Sequence, residues 1–211
     1  MQLFVVAFEI LGTISFALSG AMTGIQKDMD IFGICVLGLT TATGGGIIRD
    51  LILGITPPAT FVDPKYALIA LAVSVVVFFP FVRRLFFANR RVYEKTLLVA
   101  DAAGLGIFTV YGAKVALDWG YSENAFLVVF VAVITGVGGG VLRDVLAGNR
   151  PYIFIKHIYA CAALLGALTF WLLGAVASEN LRMLAGFSVI LAVRLCSAKY
   201  HWSLPKAKSI E

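Results

Sequence analysis

One pattern occurs twice in this sequence. Gly44-Gly45-Gly46-Ile-Ile-Arg49-Asp50-Leu-Ile-Leu-Gly54 returns as Gly138-Gly139-Gly140-Val-Leu-Arg143-Asp144-Val-Leu-Ala-Gly148. Each copy joins three consecutive glycines to an arginine–aspartate pair inside an apolar run. Glycine is a poor helix former, about 1 kcal/mol worse than alanine. A triplet at membrane depth can therefore break a helix. The amides and carbonyls so freed must line a polar cavity, where they can coordinate ions, because lipid offers them no partner. The competing reading is close packing, since small residues let membrane helices approach one another. Two triplets at equivalent places, each followed by the same charged pair, favour broken helices. A nucleotide loop is a poor alternative, because neither triplet gives GxGxxG or GK[ST] after a strand.

The charged residues extend the pattern. Neighbours on a helix do not face each other, so Arg49 is expected to pair with Asp144, and Arg143 with Asp50, across the two copies. Those pairs are either a lock between the halves or part of an ion pathway. Glu9 and Asp101 also occupy matched positions, which predicts a shared role as cavity-lining groups on opposite membrane sides. Glu9, Asp50, Asp101 and Asp144 outnumber Arg49 and Arg143, a surplus of carboxylates that favours cations in a low-dielectric passage. Lys114 closes the fourth apolar segment, where it snorkels to the interface or acts as a lipid-phosphate or gating contact. No Ser/His/Asp set, HExxH or cofactor loop is present, so neither an enzyme nor a cofactor or metal site is expected.

Long apolar segments must position these residues. Of 211 residues, 60% are hydrophobic and 14% charged, with a mean hydropathy of +0.94. A soluble domain is about half apolar and a quarter charged, so this is the composition of a polytopic membrane protein. Seven segments are long enough to span: Leu3–Gly24, Ile31–Leu53, Tyr66–Phe87 with Pro80 near its end, Thr96–Lys114, Ala125–Ala147, Ile158–Ala177 and Leu181–Ala198. The last holds Arg194, which is expected to snorkel to the inner interface. Strands are excluded by the length of the runs and their lack of alternation. The expected fold is therefore all-α. Residues 1–91 form a three-helix repeat, residues 92–178 a second one, and residues 179–211 a seventh helix with a basic tail. An odd number of spans per unit makes the second copy enter the membrane from the other side, which gives two inverted repeats.

The net charge of +5 fits this plan without any nucleic-acid partner. With the N-terminus outside, Lys27, the group from Arg83 to Lys95, Arg150, Lys156, Arg194, Lys199, Lys206 and Lys208 fall on the inner side. Lys65, Lys114 and Arg182 fall outside. That is the positive-inside bias, with a cytoplasmic C-terminus.

The doubled GGGxxRDxxxG motif, Gly44 to Gly54 and Gly138 to Gly148, resembles the prokaryotic branch of the trimeric intracellular cation (TRIC) channels. Members also go under the names of an uncharacterised inner-membrane family and of glycine transporters. The likeness covers nearly the whole chain. It implies seven helices, homotrimers in the prokaryotic inner membrane, and a separate pore through each protomer. It also implies conduction of monovalent cations, potassium or sodium and chiefly potassium. The second and fifth helices would be kinked at Gly44, Gly45, Gly46 and Gly138, Gly139, Gly140, shaping an hourglass pore beside Arg49, Asp50, Arg143 and Asp144. Animal members bind a phosphoinositide through a basic motif that is not intact here. Two other readings stay open: a secondary transporter of a small solute such as glycine, and an accessory membrane protein.

Overall fold

In the computed structural model, which describes residues 2–87, 89–155 and 158–202, every regular element is a helix. The expectations placed on Lys156, Lys206 and Lys208 lie outside the described residues. Four long helices form the centre: α1 (Gln2–Gln26), α2 (Ile31–Leu53), α6 (Arg90–Asp118) and α7 (Ala125–Leu146). Two short helices, α3 (Ala59–Val62) and α8 (Tyr152–Ile155), follow α2 and α7. The flanks are α4 (Lys65–Phe78), α5 (Pro80–Phe87), α9 (Tyr159–Leu172, extended by one 3₁₀ turn) and α10 (Glu179–Tyr200).

Local chemistry sets the boundaries. The Asp30 carboxylate accepts from the Gly33 amide at 2.7 Å and starts α2; Asn124 does the same for α7 through the Leu127 amide. Such caps satisfy amides that have no partner within the helix. At the other end, Gly54 and Gly148 adopt φ of 74° and 67°. The Ile55 amide returns to the Asp50 carbonyl and the Asn149 amide to the Asp144 carbonyl, each at 2.8 Å. This is the left-handed cap that glycine adopts without strain, and it explains the last glycine of both motifs.

The third apolar segment is not one straight span. Pro80 has no amide to donate and forces Phe79 out of the helical region, to φ −57° and ψ 136°. As a result α4 and α5 are bent by 79°. The 14 residues of α4 rise about 21 Å, short of the roughly 30 Å hydrocarbon core. The 29-residue α6 begins earlier and ends later than its apolar run. Among the described residues, five helices are long and apolar enough to cross a membrane, six if the bent pair counts as one span, and α9 is a shorter apolar helix.

α1 packs on α2, α4 and α6, while α6 packs on α7, α9 and α10; α2 and α7 cross between them. Phe16, Leu105 and Val137 from α1, α6 and α7 meet in the middle of the core with Tyr159 of α9 and Ile190 of α10. Cys35, Cys161 and Cys196 are half-buried.

Candidate functional site

The glycine triplets lie where α2 crosses α7, and both helices run through them without a break. The expected broken helices are thus corrected, because the triplets serve close approach. A Cβ on Gly45 would fall onto the Thr135 carbonyl of α7, and one on Gly139 onto the Thr41 carbonyl of α2. A Cβ on Gly138 would stand 3.2 Å from the Gly45 Cα, and one on Gly44 would enter the Leu142 side chain. The helical ladder satisfies the backbone, so no freed carbonyl is available to a ligand at the triplets. Thr41 and Thr135 turn their hydroxyls back to the carbonyls of Leu37 and Val131, both at 2.6 Å, so each hydroxyl donates within its own helix.

The third glycine of each triplet behaves differently. Beyond Gly46 the nearest heavy atom is the Arg49 Nη2, 3.7 Å from where a Cβ would stand, whereas the same position on Gly140 is 2.8 Å from the Tyr159 hydroxyl. Gly46 opens into a cavity of about 240 Å³ shared with Glu9, Thr13, Thr43, Arg49, Tyr66 and Tyr111. Gly140 is closed off.

The arginine–aspartate pairs close on themselves. Arg49 Nε donates to Asp50 Oδ1 at 2.8 Å, and Arg143 Nε to Asp144 Oδ1 at 2.8 Å. This corrects the exchange expected between the copies. The directions of neighbouring Cβ atoms do not limit an arginine, whose long stem folds back onto the next residue. The other aspartate oxygen also has a task. Asp50 Oδ2 accepts from the Ala59 amide at 2.8 Å and Asp144 Oδ2 from the Tyr152 amide at 2.9 Å. Each motif thereby ties the end of its long helix to the short helix that follows.

α1 and α6 supply the remaining partners of the two arginines; the Ser19–Arg143 and Arg49–Tyr111 contacts cross between the halves, whereas Asp101 and Arg143 belong to the same half. Arg143 Nη1 reaches the Ser19 hydroxyl of α1 and Asp101 Oδ1 of α6, the latter at 2.7 Å. Arg49 lies over the Tyr111 ring of α6, 5.3 Å from its centroid. Ser19 and Tyr111 stand in the register that relates Gly20 to Gly112, and Tyr66 and Tyr159 open the matched flanking helices. The repeat itself was the signal by which these four residues could have been found, and the sequence reading passed over them.

The two matched carboxylates have different surroundings. Glu9 receives the Tyr66 hydroxyl at 2.6 Å and faces the Tyr111 hydroxyl. Among the described residues no arginine or lysine forms an ion pair with it. Asp101 is fully buried. It holds Arg143 and the Tyr159 hydroxyl at 3.3 Å on Oδ1, and Arg194 Nη2 stands 3.6 Å from Oδ2. Arg194 was expected at the interface; instead it is 3% exposed and lies over the Tyr159 ring at 4.7 Å. It faces the inside of the bundle because the α6 and α9 contacts of α10 cover that side of the helix. The surplus of buried carboxylates read from the sequence is reduced by the same observation.

A second cavity, of about 880 Å³, is lined by Gln26, Tyr93, Tyr152, Arg194, Ser197 and residues near them. It lies at the C-terminal ends of α1 and α10 and the N-terminal end of α6. The smaller cavity uses Glu9 and Thr13 of α1 and Phe108 and Tyr111 of α6. Between Glu9 and Gln26 the α1 axis rises about 25 Å, so the cavities sit at opposite ends of the bundle. The α2–α7 crossing and the Asp101–Arg143 cluster lie between them. At the mouth of the smaller one, Asp63 pairs with Lys65 at 2.7 Å, which holds its carboxyl below the usual range. Lys114 does not extend outward. It donates to Asp118 at 2.6 Å and stands 3.5 Å from Glu179, tying α6 to the start of α10.

Comparisons with known proteins agree with this architecture. A family model described as "Glycine transporter" matches twice, at residues 6–81 and 98–175. The UPF0126 membrane protein YvgT of Bacillus subtilis is 38% identical over 198 residues, 93% of each chain. The Rhodobacter sphaeroides orthologue of the TRIC channel superposes with a TM-score of 0.85 at 37% identity, covering 94% of this chain and 98% of that one. A prokaryotic TRIC channel crystallised in 0.5 M KCl gives 0.87 at 33%, covering 97% and 100%. The chain belongs to the TRIC channel family. That places this TRIC protein among membrane channels rather than enzymes, and its two family-model matches coincide with the two glycine motifs and their flanking helices.

Proposed function

We propose that this TRIC protein conducts monovalent cations, potassium or sodium and chiefly potassium, through a path inside each protomer of a homotrimer, with no cofactor. The observation that carries the reading is the pair of cavities at opposite ends of the bundle, about 240 and 880 Å³, each with charged side chains in its lining, with the glycine crossing and a charged cluster between them. Each end has a carboxylate from a matched position, Glu9 in one cavity and Asp101 beneath the other. The similar structures, which are those of cation channels, support the same ion class.

On this reading α4 and α9 are counted as short spans, giving seven. The two units are inverted repeats in the prokaryotic inner membrane, with the N-terminus outside and the C-terminus in the cytoplasm. The larger cavity then opens to the cytoplasm. Gly46 supplies room on the path, while Gly45 and Gly139 set how closely its walls approach.

A solute carrier is the second reading. It is favoured by the family model's description and by a cavity that presents both a guanidinium, Arg49, and a carboxylate, Glu9, as a zwitterion such as glycine requires. Reconstitution separates the two. The channel gives passive, voltage-driven potassium flux with single-channel steps; saturable, gradient-coupled glycine uptake without such steps would replace it by the carrier. Gly46→Leu fills the smaller cavity where no backbone stands in the way. It is expected to abolish potassium flux while the trimer still elutes as one species. Full flux in that variant would remove the smaller cavity from the path.

A further inference from the structure

Among the described residues, Arg194 is the one buried charge near Asp101 and Asp144 that the duplication does not account for. It lies on α10, beyond both matched units, and its guanidinium is incompletely bound. Nε and Nη2 are buried without a hydrogen-bond partner, and so is Asp101 Oδ2 opposite them. The 3.6 Å between Nη2 and Oδ2 is an ion-pair contact rather than a hydrogen bond. Behind the guanidinium is the larger cavity, which Arg194 itself lines. Leaving polar atoms unpaired in a dry interior is costly, so a structural tie would have closed these bonds. In the matched half, Glu9 takes the Tyr66 hydroxyl and lines an open cavity with Arg49 and Lys65, with no ion pair to it among the described residues.

We infer that Arg194 is a tethered cation that occupies the Asp101 Oδ2 side of the path in place of a permeating ion, and that it swings into the larger cavity when an ion passes. The inference rests on the channel reading above. Its electrostatics are simple. Asp101 and Asp144 against Arg143 leave one negative charge for a cation, and Arg194 fills it. The guanidinium is weakly hydrated and stacks on the Tyr159 ring, which gives it a resting place within reach of both positions. Arg194 thus sets occupancy of the Asp101 site, competing there with the permeating cation.

The test is potassium flux in liposomes containing the full chain, wild type beside Arg194→Gln and Arg194→Met; the methionine keeps an apolar stem over the Tyr159 ring. Assembly is followed by size exclusion. Both variants are expected to raise potassium flux several-fold, and free guanidinium on the larger-cavity side is expected to block them while leaving the wild type little affected. Arg194→Lys, which keeps the charge, is expected to stay near wild type. Unchanged or lower flux in assembled Gln and Met variants, or no block by guanidinium, overturns the inference while a conducting wild type leaves the channel reading intact. If neither variant assembles, Arg194 is a structural tie and the inference also fails. If neither wild type nor variants pass potassium, the channel reading fails with it.

Discussion

Glu9 and Asp101 hold the same place in two copies of one unit, yet one faces an open cavity and the other is sealed. A single register position accounts for much of the difference. Where the second unit has Tyr111, the first has Ser19. The tyrosine ring sits under Arg49 at 5.3 Å and turns its hydroxyl to Glu9, so the guanidinium stays with Asp50. The small serine leaves space along Arg143, which passes Ser19 and reaches Asp101 at 2.7 Å. α10 then adds Arg194 to the second site only. Duplication supplies the backbone and the acid, and substitution of one neighbour decides whether that acid is neutralised.

Three sets of variants test that comparison. The largest effect is expected from Gly45→Leu and Gly139→Leu, which should yield no assembled protein. In both, the obstacle is main-chain carbonyl, Thr135 or Thr41, and backbone cannot step aside as a side chain can. Equal failure in fluorescence-detected size exclusion keeps the crossing symmetric, and a well-assembled Gly139→Leu would end that symmetry. Next come the acids themselves. Asp101→Asn strands Arg194 in the interior and leaves Arg143 with Asp144 alone, and should cost about 3 kcal/mol. Glu9→Gln removes no ion pair and should cost less than about 1 kcal/mol. Thermal unfolding in detergent reads both, and comparable losses would mean that Glu9 is also neutralised by a partner. The smallest effect is at the helix ends. Gly54→Ala and Gly148→Ala each force a side chain into a left-handed cap, at about 1 kcal/mol apiece. Equal shifts in melting temperature are expected there, since the caps are the part of the two units that differs least.

The repeated motif made much of this legible in advance. It marked the two helices that cross, and the hydropathy of the segments placed most of the helices. The role of the triplets was not legible, because a glycine run suits both a broken helix and a close crossing. The atoms that decide, the carbonyls of Thr41 and Thr135, belong to the opposite helix. The pairing of Arg49 and Arg143 was misread from Cβ directions, which say little about a side chain with four rotatable bonds. Arg194 was hidden for another reason. A basic residue near the end of an apolar helix is usually at the interface, and only the packing of α10 against α6 and α9 shows that this one faces inward. Pro80 was visible, but a proline near a helix end signals either a stop or a sharp turn, and the chain takes the turn.

The aspartate of the second motif has a mechanical consequence. Asp144 grips both the guanidinium at the foot of α7 and the amide of Tyr152, and Tyr152 is part of the wall of the larger cavity. That wall is therefore fastened to α7 and travels with it. Any tilt of α7 at its crossing with α2 drags the rim along, so the waist and the mouth of the molecule cannot change width independently.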